Sequence, residues 1–99
     1  MKPFRLSGDA ERDLIEIAKY VAGKASLETA ERVVAAIIET RIALSGQPNV
    51  GRPEERLGKG LKSFASGNYK IYYRPRKSGI LILHVFHGAR HQNKAWRSS

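Results

Sequence analysis

The sequence predicts an α+β fold: an N-terminal strand, a helical hairpin and then a three-stranded antiparallel meander, with the helices packed on one sheet face. Two observations carry this expectation. Apolar residues recur at the helical period as far as Leu44, and from Leu61 onward the period becomes two. Glycine, proline and short polar clusters punctuate the chain at Ser7-Gly8, at Gly23, from Gly46 to Pro48 and from Arg76 to Gly79. A chain of 99 residues has room for one core, so a single domain over 1–99 is expected.

Phe4-Arg5-Leu6 reads as a short strand ended by Ser7-Gly8. Ser7 or Asp9 suits the N-cap of a first helix, with Asp9, Glu11 and Asp13 near its positive end. Ala10, Leu14, Ile17, Ala18 and Val21 share one face, and Gly23 is expected to stop the helix with a positive φ. Ser26 caps a second helix whose stripe is Ala30, Val33, Val34, Ile37, Arg41 and Leu44, with Arg41 expected at the edge of that stripe. Gly46 and Pro48 end it. Asn49 to Gly60 reads as a loop, Leu61 to Ala65 as a strand, and Tyr69 to Arg74 as a second strand stopped by Pro75. Arg76 to Gly79 is a hairpin turn. Ile80 to His87 is the strongest strand, and its near-continuous apolar character predicts a central position covered on both faces.

Charge narrows the partners. The net charge is +9, and all nine acidic residues lie at or before Glu55. From Arg56 onward there are ten Lys and Arg and no acid, so the second half is expected to present a basic surface to a nucleic acid or an acidic protein segment. With no cysteine there is no disulfide framework and no thiolate nucleophile. The start of the chain lacks a signal-peptide stretch and no apolar run is long enough to span a bilayer, so a cytoplasmic location is expected, without membrane association.

Alternation along the Tyr69 strand puts Tyr69, Ile71 and Tyr73 on one face and Lys70, Tyr72 and Arg74 on the other. The second set is a pair of cations around an aromatic ring, the composition that phosphate and unstacked bases require. The same pattern also serves as a plain solvated face of a basic protein. Lys62, Arg90 and Trp96 extend this candidate surface along the chain. His84, His87 and His91 do not read as a metal site, because positions 84 and 87 of a strand point to opposite faces. His84 reads as a strand histidine with a satisfied hydrogen bond, and His87 as a strand-end residue able to exchange a proton. No phosphate-binding glycine motif and no Ser-His-Asp context is present, and no metal or cofactor is expected.

Several segments taken in order carry a resemblance. They are Phe4-Arg5-Leu6-Ser7 with Ala10-x-x-Asp13-Leu14-x-x-Ile17-Ala18-x-Tyr20, and Leu44-Ser45-Gly46-Gln47-Pro48-Asn49-Val50-Gly51-Arg52. Gly60-Leu61-Lys62-Ser63-Phe64, Tyr69-Lys70-Ile71-Tyr72-Tyr73-Arg74 and Ile80-Leu81-Ile82-Leu83-His84-Val85-Phe86-His87-Gly88-Ala89-Arg90 follow. Over nearly the whole chain these resemble the ParE/RelE toxin superfamily of type II toxin–antitoxin systems, and the last two segments look more like its ParE branch.

The resemblance implies a growth-arresting toxin, of the kind that serves plasmid stabilisation, neutralised by a ParD-like antitoxin encoded beside it. For the ParE branch it implies poisoning of DNA gyrase by protein binding, with no catalytic residues. For the RelE branch it implies metal-independent cleavage of mRNA on the ribosome. The residues matching that ribonuclease pattern are Lys70 and Arg90, with Trp96 where a tyrosine often stands, and Arg74 and His87 complete the alternative catalytic set. Lys70 keeps the charge but lacks the planar fork of an arginine. Lys59 or Lys62 meets the branch's further basic positions loosely, as do Glu54, Glu55 and His91 the glutamate and C-terminal histidine of related nucleases. A third class is a non-toxic, nucleic-acid-binding relic of such a toxin.

Overall fold

The structure is a computed structural model, and it describes residues 4–77 and 79–87. Strand β1 (Phe4–Leu6) leads into helices α1 (Gly8–Lys24) and α2 (Leu27–Gly46), followed by strands β2 (Arg52–Pro53), β3 (Lys62–Ser66), β4 (Tyr69–Arg76) and β5 (Gly79–His87). The strands form one sheet in the order β1-β5-β4-β3-β2. β1 lies parallel to β5, and the remaining neighbours are antiparallel. The expected meander is thus the centre of a five-stranded mixed sheet. The extra strand comes from the segment read as loop: Arg52 and Pro53 pair with Ser63 and Lys62. Pro53 is tolerated there because an edge strand has no neighbour on its outer side. β4 likewise runs through Pro75 to Arg76, past the stop expected at the proline.

Both helices begin on serine side chains that accept an otherwise unpartnered backbone N–H, from Ala10 to Ser7 Oγ and from Thr29 to Ser26 Oγ, each at 3.0 Å. Gly23 does not stop α1 by positive φ, since among the described residues only Gly60, Gly67 and Gly79 take that conformation. The chain turns two residues later, where the Ala25 N–H bonds Val21 O and Ser26 adopts the extended conformation that capping α2 demands. The core lies between the hairpin and one face of the sheet: Ala10, Ile37 and Leu44 from the helices against Ile71, Tyr73, Ile80, Ile82 and Val85. Arg41 is buried at 8% exposure rather than standing at the edge of its stripe, and burial lowers its pKa. Ile42, on the same helix, is exposed instead.

One irregularity decides which residues face where. Tyr72 pairs with His84 but Tyr73 pairs with Ile82, so Leu83 is an extra residue in β5. Such a bulge resets the alternation. Ile80 and Ile82 before it and Val85 after it all reach the helix side, while His84 and Phe86 reach the other. The continuous apolar run therefore reflects a bulge and not a strand covered by helices on both faces.

Candidate functional site

The face of the sheet turned away from the helices carries the Lys70, Tyr72 and Arg74 series. Residues directly opposite on neighbouring strands share a face. The pairs Lys70 with Phe86, Tyr72 with His84, and Ser63 with Tyr72 therefore bring three strands' side chains together there. Their rings form a row. Tyr72 meets Phe86 at 5.9 Å between centroids, and Phe86 stacks on His84 at 4.9 Å. Lys70 Nζ lies 5.4 Å from the Tyr72 ring centre, within cation–π range. Arg74, two residues further along β4, donates its Nε–H to Lys59 O at 3.0 Å, which anchors the loop after β2 over that end of the face. Leu61 is fully buried beneath this loop, yet stands outside the core on the helix side.

An acidic group that the sequence reading named only loosely completes the face. Because Arg52–Pro53 pairs with β3 and Glu54 N–H then bonds Leu61 O, Glu54 is delivered beside Ser63. Its Oε2 accepts the Ser63 hydroxyl at 2.6 Å and lies 3.6 Å from Lys70 Nζ. A signal for this existed in the sequence only as a glutamate directly after a proline. The short β2 pairing that positions it is invisible to periodicity.

Other candidates lie elsewhere. Lys62 pairs with Tyr73, whose ring is buried in the core, so it falls on the helix side and not with Lys70. His87 pairs with Tyr69 on that side too, their rings edge to face at 5.2 Å. Lys70 and Arg74 thus share a face that His87 does not. Arg90, His91 and Trp96 lie outside the described residues.

His84 has acids that no local reading could supply. β1 ends at Leu6, opposite Ile82, leaving the edge of β5 open beyond that point. The start of α1 closes it. Ser7 donates its N–H to Ile82 O and its hydroxyl to Leu83 O, each at 2.9 Å, and Asp13 Oδ2 accepts the Val85 N–H at 3.0 Å. The same Asp13 oxygen lies 3.0 Å from His84 Nδ1, while Asp9 approaches Nε2 at 3.8 Å. Desolvation raises the Asp13 pKa, a shift that the Val85 N–H and His84 partly offset. The two carboxylates address opposite ring nitrogens, an arrangement that orients the imidazole. A second brace fixes the loop after α2: the Tyr73 hydroxyl donates to Pro48 O and accepts from Gly51 N–H, both at 2.9 Å. Burial pushes the Tyr73 phenol upward.

Comparison with known proteins places the chain. Residues 4–92 match the family described as ParE toxin of type II toxin–antitoxin system, parDE. A relative named Toxin ParE1, from Caulobacter vibrioides, is 34% identical over 92 residues, which are 91% of this chain and 96% of that one. Among solved structures, a chromosomal ParDE system from P. aeruginosa superposes with a TM-score of 0.74 at 22% identity, covering 85% of this chain and 92% of the other. A toxin–antitoxin complex, RelBE2 from Mycobacterium tuberculosis, gives 0.66 at 30% identity, covering 85% and 94%. No helix among the described residues is long and apolar enough to cross a membrane.

Proposed function

The chain belongs to the ParE toxin family of type II toxin–antitoxin systems, and from that premise we propose that it arrests growth by poisoning DNA gyrase and is held inactive by a ParD-like antitoxin. The observation that carries this reading is the family match over residues 4–92, reinforced by the ParE1 relative aligned along nearly all of both chains. Gyrase poisoning acts by protein binding and requires no assembled catalytic set. The disposition of the ribonuclease candidates agrees with that, since His87 stands on the opposite face of the sheet from Lys70 and Arg74. An antitoxin has two features to use. The helical hairpin bears an apolar groove of about 310 Å3, lined by Ala18, Leu27, Ala30, Val34, Ala35 and Ile38, of a kind that receives an amphipathic helix. The basic half of the chain attracts an acidic segment.

The test is a pulse label of DNA and protein synthesis within minutes of inducing the toxin alone in a bacterium. DNA synthesis is expected to stop first while translation continues, and the purified toxin is expected to inhibit gyrase supercoiling. Translation stopping first, with mRNA cut only in the presence of ribosomes, would instead establish the ribonuclease reading. One feature favours that second reading: Glu54 and Lys70 stand side by side on the helix-free face.

A further inference from the structure

We propose that the seam between α1 and the open edge of β5 is a proton-operated latch: His84 holds Asp13 through Nδ1 throughout, and draws in Asp9 through Nε2 only as an imidazolium. Acidification across the range where an imidazole titrates therefore tightens α1 against the sheet. This goes beyond the gyrase reading and does not depend on it.

The latch arises where β5 outruns its strand partner. β1 pairs no further than Leu6 with Ile82, and past that point the edge of β5 meets side chains from α1 and its cap. The Ser7 hydroxyl donates to Leu83 O. Asp13 takes the Val85 N–H and His84 Nδ1 on the same oxygen, Oδ2, each at 3.0 Å. An ionised carboxylate only accepts, so Nδ1 carries a hydrogen. That fixes the neutral ring as the Nδ1–H tautomer, with a lone pair on Nε2.

Asp9 stands one helical turn before Asp13, on the same side of α1. Its Oδ2 lies 3.8 Å from His84 Nε2, beyond hydrogen-bond range, while its other oxygen is held by Arg12. With a neutral ring a lone pair faces a carboxylate across this gap, and nothing draws the two together. A second ring proton makes Nε2 a charged donor, and a closure of about 1 Å then forms the hydrogen bond. The two groups suit such a movement. His84 is 14% exposed and fixed by stacking on Phe86, whereas Asp9 is half exposed on the first turn of α1. Among the described residues, this side of the sheet also brings Tyr72 opposite the ring, Lys70 and Arg74 on either side of Tyr72, and Arg5 level with Leu81. Lys70 is paired with Glu54, and Arg74 is bonded to Lys59 O. Lifting α1 from the sheet breaks two contacts of the imidazolium but one of the neutral ring. The closed seam thus binds the proton more tightly than the open one, and it loosens as pH rises.

The experiment uses the 15N-labelled full-length chain between about pH 5 and pH 8, the range over which an imidazole titrates. Two-bond 1H–15N spectra report the tautomer and the proton count of His84 directly. The Nδ1–H form is expected at the upper end, although free imidazole favours Nε2–H, with both nitrogens protonated at the lower end. Amide exchange then reads the seam: protection at Val85, taken relative to amides of the β3–β4 pair, is expected to rise by about two- to fivefold from the upper pH to the lower. The ratio separates release of α1 from a general effect of pH on stability. Asp9→Asn is expected to abolish most of that rise and to leave the ratio at the upper pH unchanged. His84→Gln is expected to make the ratio independent of pH. The proposal is overturned by an Nε2–H tautomer at the upper pH, by a wild-type ratio that stays flat, or by a wild-type response in Asp9→Asn. The tautomer and the ratio are read on the wild type, so a variant that fails to fold leaves the proposal fully exposed to test.

Discussion

Tyr73 does two things with one side chain. Its ring fills the core beneath the helices, and its hydroxyl joins Pro48 O to Gly51 N–H, so the loop after α2 is tied to the centre of the sheet. Tyr73→Phe keeps the ring but strands a buried donor and an acceptor, and is expected to cost about 1–3 kcal/mol in urea denaturation. A loss below about 0.5 kcal/mol would mean that the loop finds other partners. Gly51→Ala attacks the same brace from the other side, since a Cβ there would lie 2.4 Å from Tyr73 Oη and 2.8 Å from Ser63 O. Combining it with Tyr73→Phe relieves the first clash but not the backbone one, so the two losses should not add. Asp13 offers a test of sign. Its folded pKa is raised above the ordinary 3.8, so the native state holds the proton more tightly than the unfolded chain does. That contribution is fully present below the ordinary value and is lost as pH rises through the raised one. Wild type should therefore gain stability relative to Asp13→Asn as pH falls through the raised value toward the ordinary 3.8, and a constant difference would refute the assignment. The alternation of Tyr69 to Arg74 was legible in the sequence and sorted both faces correctly. The hydrogen-bond partners of Tyr73 and His84 were not, because they lie 22 to 71 residues away and no local pattern announces them.

At the scale of elements, capping serines were readable and edge pairing was not. Ser7 and Ser26 stand before helical periodicity and cap as expected, whereas a two-residue strand such as Arg52–Pro53 has no period to detect. The bulge at Leu83 was hidden for a related reason: a run of apolar residues looks the same with or without one extra residue. The two caps nevertheless differ in what they hold. Ser26 serves α2 and the Thr29 hydroxyl beside it, while Ser7 also donates its hydroxyl to Leu83 O and so fastens α1 to the open edge of β5. Ser26→Ala is expected to cost about 1 kcal/mol, and Ser7→Ala about twice that, because it loses a cap and leaves a strand carbonyl without its partner. Amide exchange at Val85, next to that seam, should accelerate in Ser7→Ala and not in Ser26→Ala. Equal losses with equal exchange would mean that Ser7 acts only as a helix cap.

Across the whole molecule, charge is unevenly spread. The two helices carry seven of the nine acids beside five Lys and Arg and are close to neutral, whereas among the described residues the chain from Arg56 onward carries seven cations and no acid. This imbalance was visible in the sequence, and the fold places its described part on the sheet and its loops, beside the helical hairpin. Overall charge controls encounter more than residence: a field of one sign speeds diffusional docking of an opposite charge and decays within about 10 Å at 0.1 M salt. Dissociation depends instead on contacts broken at short range, such as an apolar helix leaving the groove of the hairpin. The proposed antitoxin should therefore associate at least about tenfold more slowly in 0.5 M than in 0.05 M salt, while its dissociation rate changes little. Stopped-flow association at a series of salt concentrations measures both. An association rate indifferent to salt would show that the basic half does not meet the antitoxin. A dissociation rate carrying the whole salt effect would place ion pairs inside the bound interface, in contact and not in approach.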